Sequence, residues 1–92
     1  MKEETRGIIE KAIDRMQFGF GSDIEAIQEV TPIKNVEEFS LGFVLGHLRR
    51  LGEFLVLLEE EKITKTTEKE ISKIILTRIP EIRKRLVQYL NK

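Results

Sequence analysis

The stretch Val36-Glu37-Glu38-Phe39-Ser40-Leu41-Gly42-Phe43-Val44-Leu45-Gly46-His47-Leu48-Arg49-Arg50-Leu51-Gly52-Glu53-Phe54-Leu55-Val56-Leu57-Leu58 decides the fold. Leu41, Val44, Leu48, Leu51, Leu55 and Leu58 recur three and four residues apart, the seam of an amphipathic helix. Beside that seam lies a second apolar row, Phe39, Phe43, Phe54 and Leu57. A helix apolar on more than one narrow stripe is central in its fold or lies against a partner. Asn35, with Glu38 three residues on, reads as its cap, and the pattern runs to Lys62.

Upstream, Glu3 to Phe18 forms a first helix, with Ile9, Ala12, Ile13 and Met16 on one face. Gly19 and Gly21 stop it. Ser22 or Asp23 caps a short helix from Asp23 to Val30, with Glu25 completing a capping box. Thr31-Pro32 ends that helix. Downstream, Thr66 or Thr67 caps a last helix whose apolar phase (Ile71, Ile75, Ile79, Ile82, Leu86, Tyr89) persists through Pro80. That continuity predicts one rod to about Asn91, kinked where Pro80 removes the bond to Leu76. The competing reading is two shorter helices with Pro80 in the first turn of the second. The expected fold is an all-α single-domain bundle over residues 1–92: one short and three longer helices, the last two forming a long antiparallel hairpin. Its expected core is Ile9, Ile13, Met16, Leu41, Val44, Leu48, Leu51, Leu55, Leu58, Ile71, Ile75, Ile79, Ile82 and Leu86.

Composition narrows the function classes more than it names one. The chain has no cysteine, which excludes disulfides, thiolate metal sites and a Cys nucleophile. Sixteen basic residues balance sixteen acidic ones, so net charge points to no nucleic-acid or membrane partner. The longest apolar run, Phe54 to Leu58, is far too short to span a bilayer. Met1-Lys2-Glu3-Glu4 lacks a secretory pattern, and the expected location is cytoplasmic. Abundant Glu and Ile with few Asn and Gln resemble proteins from hot environments.

Several constellations invite a sharper reading. Gly42 and Gly46 form Gly-x-x-x-Gly, which suggests close approach of another helix. His47, the lone histidine, has no acidic neighbour at i+4 and reads as a solvated rim residue rather than a metal ligand. Arg49, Arg50 and Glu53 would line a polar slot beside the glycines, able to grip a carboxylate or phosphate if a partner sealed it. Glu59-Glu60-Glu61 has no facing acidic pair and reads as a solvated end. No metal or cofactor is expected.

Charge is divided unevenly: 5 basic and 9 acidic residues to Gly46, then 11 basic and 7 acidic. Lys69, Lys73 and Lys84 follow one outer face of the last helix, and Arg78, Arg85 and Lys92 repeat along a flank. With Arg83 they make a candidate phosphate-tracking surface. Only Tyr89 lies nearby for base stacking, so single-strand binding is disfavoured. The run from Ser22 through Gly46-His47-Leu48-Arg49-Arg50-Leu51 resembles helix-turn-helix regulators in outline. Its candidate recognition helix is mostly apolar and no strand pair follows Ile63, so no family is assigned.

Three functions follow in order. The first is a non-enzymatic protein-interaction or structural module, a homodimer through the helix over 36–62. Its expected interface is Phe39, Gly42, Phe43, Gly46, Arg50, Phe54 and Leu57, with another protein as the alternative occupant. The second is a nucleic-acid-binding regulator using Lys69, Lys73, Arg78, Arg83, Lys84 and Arg85. The third is a small enzyme with a subunit-interface site at Arg49, Arg50 and Glu53.

Overall fold

Asn35 caps the central helix as its sequence demands: its side-chain oxygen accepts the Glu38 N–H at 3.0 Å. The structure, a computed structural model, describes residues 1–91; Lys92 and its place on the basic flank lie outside the described residues. Five helices follow one another: α1 (Glu3–Arg15), α2 (Gly21–Val30), α3 (Val36–Glu60), α4 (Lys65–Thr77) and α5 (Ile79–Leu90). Among the described residues there is no strand, so the molecule is a small all-α bundle. It is elongated, 41 × 24 × 18 Å, because α3 alone is about 37 Å long at 1.5 Å per residue.

The chain returns along α3 after the turn at residues 61–64. Gly52 meets Ile71, Leu45 and Arg49 share a hollow with Ser72, Ile75 and Leu76, and Glu37 pairs with Arg83. The return is made by two helices, not by one kinked rod. Helix α4 ends at Thr77, Arg78 leaves helical geometry, and Pro80 sits in the first turn of α5. There its missing N–H costs nothing and its fixed φ suits the helix.

Two expected caps and one expected helix end are replaced. Helix α2 begins at Gly21 behind Phe20 with no side-chain cap, not at Ser22 or Asp23. Gly21 instead donates its N–H to the Tyr89 hydroxyl at 2.9 Å, so a distant helix supplies the acceptor. Helix α4 is capped by Thr64, whose hydroxyl accepts the Thr67 N–H at 3.1 Å, not by Thr66 or Thr67. Helix α1 stops at Arg15, short of Phe18, where Met16 turns to extended backbone and Arg85 donates to the freed carbonyls of Ile13 (2.8 Å) and Met16. Glu61 ends α3 in the left-handed region at φ 63°, a conformation that glycine adopts more easily.

The core is Ile9, Ile13, Phe20, Ile24, Leu41, Val44, Leu48, Val56, Ile71, Ile74, Ile75, Ile82 and Leu86. It departs from expectation on α3 beyond Leu48. Gly52 and Val56 are buried, Leu51 and Leu55 are half-buried, and Leu58 is exposed. The buried row therefore steps by four, through 44, 48, 52 and 56. Each such step advances about 40° around the axis, so the stripe spirals where a heptad seam would run straight. The cause is Gly52: a Cβ there would lie 2.8 Å from Ile71 Cγ2, so α4 sits directly on the missing side chain. Met16 and Ile79, also expected inside, are half-buried at helix ends.

Candidate interaction face

The side of α3 turned away from this core carries large apolar groups into solvent. Phe39 is 39% exposed, Phe43 40%, Phe54 57%, Leu57 46% and Leu58 63%. Gly42 and Gly46 lie among them, and a Cβ built on either meets no atom within 4 Å. Among the described residues no other helix approaches these two glycines; the close approach to α3 is at Gly52. All seven residues expected at an interface (Phe39, Gly42, Phe43, Gly46, Arg50, Phe54, Leu57) are exposed and share this face. Leu58 widens it, a residue the heptad reading had placed inside.

Phe43 is held at its base. Its ring lies 5.5 Å from Phe20, which in turn packs against Phe18 and Tyr89 at 5.8 and 5.2 Å. This aromatic cluster was hidden in the sequence, because Phe18 and Phe20 flank Gly19 in a segment read only as a helix stop. A hollow of about 320 Å³ opens beside it, bounded by Met16, Phe18, Phe20, Asp23, Phe43 and His47. His47 is exposed at its rim, as a solvated histidine would be.

The polar slot is an open hollow over Gly46, Arg49, Arg50 and Glu53. Arg49 and Glu53 form an i,i+4 ion pair at 3.7 Å with both side chains partly solvated. Arg50 is exposed. An exposed pair of this kind contributes little to stability.

The basic residues of the return arm divide into two groups. Three arginines are bound within the chain. Arg78, whose side chain is 15% exposed, donates to Glu81 (2.9 and 3.0 Å), to Glu10 Oε2 (3.1 Å) and to Asp14, tying the start of α5 to α1. Glu81 first, then Asp14, holds its guanidinium above the ordinary arginine value despite the opposing effect of burial. Arg83 donates to Glu37 (3.1 Å) and Glu38, fixing α5 to the first turn of α3. Arg85 caps α1 and lies 5.9 Å over the Phe18 ring. Lys69, Lys73 and Lys84 are exposed, and among the described residues none forms an ion pair. Lys69 and Lys73 border a groove with Arg49, Lys65 and Glu68; Lys84 lies on α5 and is not part of it.

Glu60 reaches back to α1. The Thr5 hydroxyl and the Lys2 backbone N–H (3.1 Å) hold its carboxyl below the ordinary carboxylate value. Among the described residues no three His, Asp or Glu side chains gather as a metal site, and no helix is long and apolar enough to cross a membrane. Comparison of the chain with protein-family models, with curated proteins and with solved structures found no match in any of the three.

Proposed function

We propose that this chain is a non-enzymatic interaction module that pairs with a second copy of itself through the outer face of α3. The carrying observation is the row Phe39, Phe43, Phe54, Leu57 and Leu58, solvent-facing around two glycines that, among the described residues, nothing covers. At 150–250 Å² for a whole aromatic side chain, these exposures amount to on the order of 400 Å² of apolar surface. The largest apolar patch on a typical single-copy protein is about 300–600 Å² and is often functional. The two glycines let another backbone come close, which their cost within a lone helix would otherwise leave unexplained.

A phosphate-tracking role has less support. Arg78, Arg83 and Arg85 are engaged in the fold, which leaves three exposed lysines split between two helices.

Light scattering on a dilution series tests the proposal. The unmodified chain is expected to weigh two copies at high micromolar concentration and to dissociate on dilution. Phe54→Asp is expected to weigh one copy with unchanged helical circular dichroism. A single-copy mass for the unmodified chain at every concentration overturns the reading.

A further inference from the structure

We infer that the two copies pair with their α3 helices antiparallel, about a two-fold axis at the level of Leu48. This rests on the pairing proposed above and adds its direction and register. Phe39 and Leu57 are about five helical turns apart and share one azimuth, which defines a contact line about 27 Å long. On one side of that line lie Phe43, Phe54 and Leu58, with Arg50 close to the line. On the other lie Gly42, Gly46, Arg49 and Glu53. The face thus has an aromatic edge and a small, polar edge.

Symmetry decides how these edges meet. A two-fold axis along parallel helices brings each edge against the opposite edge of the partner. Phe54 would then lie beside the partner's Glu53, and Arg50 would stand level with the partner's Arg50. A two-fold axis across antiparallel helices keeps each edge on its own side and reverses the order of residues. Phe39 then stands level with the partner's Leu57. Phe43 and the partner's Phe54 come within about one residue rise of each other, 1.5 Å along the axis. Glycines meet long side chains: Gly46 is level with the partner's Arg50, and Gly42 lies within one rise of the partner's Glu53.

Charge favours the same register. Helical side chains lean toward their own N-terminus. In the antiparallel pair, Arg49 leans toward the partner's Glu53, and Glu53 toward the partner's Arg49. The Arg49–Glu53 pair at 3.7 Å inside each copy therefore extends to a neutral group of two arginines and two glutamates. Opposed helix dipoles add to this preference. The pattern is self-complementary, which is why a second copy fits it better than an unrelated helix.

Cysteine cross-linking tests the register, and the absence of native cysteine keeps it clean. A mixture of Phe39→Cys with Leu57→Cys, and one of Phe43→Cys with Phe54→Cys, should each give disulfide-linked dimer on oxidation. Phe39→Cys alone should not link. Because these variants alter the contact itself, a spin label at Glu59→Cys, off the contact line, gives a second readout. Its pair separation should be roughly 35–40 Å antiparallel and roughly 20 Å parallel. Self-linking by Phe39→Cys with the short spin-label distance overturns the antiparallel arrangement but leaves the pairing proposal standing. So does a two-copy mass in which neither mixture links and the long distance is missing. A single-copy mass for the unmodified chain overturns both.

Discussion

Replacing Gly52 by alanine should destabilise the protein, whereas the same replacement at Gly42 should stabilise it. Both residues lie inside α3, so both gain the helix preference of alanine, about 1 kcal/mol. The difference is space. At Gly52 the new Cβ would lie 2.8 Å from Ile71 Cγ2, and Ile71 is fully buried. The contacting Cγ2 is bonded directly to Cβ on a stiff branched side chain, so relief of the clash requires α3 and α4 to shift apart. Overpacking of this kind costs about 1–3 kcal/mol. The net effect at Gly52 is a loss of about 1 kcal/mol, against a gain of about 1 kcal/mol at Gly42, where nothing lies within 4 Å. Urea denaturation followed by helical circular dichroism, at concentrations low enough to hold single copies, reads the contrast. The two midpoints should differ by about 1 M urea, given a slope of 1–3 kcal/mol per molar. Equal stabilisation by both alanines would refute the claim that α4 rests on Gly52.

Arg78→Met should destabilise by about 1–2 kcal/mol, because it removes a half-sheltered donor to three carboxylates that all keep access to water; thermal denaturation checks this, and an unchanged midpoint would make Arg78 dispensable. Glu61→Gly should raise stability by about 1 kcal/mol by relieving the left-handed backbone at φ 63°, whereas Glu61→Ala should not. Acid should weaken the fold through Glu60 and Glu81. Hydrogen bonds from Thr5 and Lys2, and from Arg78, hold these two carboxyls below the ordinary value of 4.5. A folded value below the unfolded one gives stability that is complete above about pH 4.5 and is lost as pH falls through the lower folded values. The double variant Glu60→Gln, Glu81→Gln should therefore show a shallower fall in melting temperature below pH 4.5; an identical acid profile would count against both contacts.

The parts of the fold legible in sequence are those set by local chemistry. Asn35 caps α3 by its own side chain, and the three- and four-residue spacing of Ile9, Ile13, Leu41, Val44 and Leu48 places them in the core. Periodicity failed where a neighbour chose the face. Leu51, Leu55 and Leu58 continue a perfect seam, yet Gly52 and Val56 are buried, because a glycine admits α4 at a place that hydrophobicity cannot mark. The same limit hid the α2 cap. Ser22 and Glu25 satisfy the local pattern, but Tyr89, 68 residues away, supplies the oxygen. Pro80 could be read as a kink or as a start, and apolar phase cannot tell them apart, since both keep Ile75, Ile82 and Leu86 inward.

The candidate face was legible because it is an excess. Phe39, Phe43, Phe54 and Leu57 form a second row beside the seam, and the seam alone already supplies this helix's share of a core. The roles of the arginines were not legible. Arg78, Arg83 and Arg85 look like a basic stripe when only α5 is considered. Glu81 lies three residues from Arg78, but the acceptors on other helices, Glu10, Asp14, Glu37, Glu38 and the carbonyl of Ile13, lie at least 45 residues away in the chain.

The most direct test of the central claim is the solution mass of the unmodified chain by sedimentation equilibrium, beside that of Gly46→Leu. A Cβ at position 46 meets no atom within 4 Å and the position opens into solvent, so the single-copy fold should persist. The expected mass is twice 10.7 kDa for the unmodified chain and one such copy for Gly46→Leu at the same concentration. Equal masses for the two proteins, whether one copy or two, would contradict it.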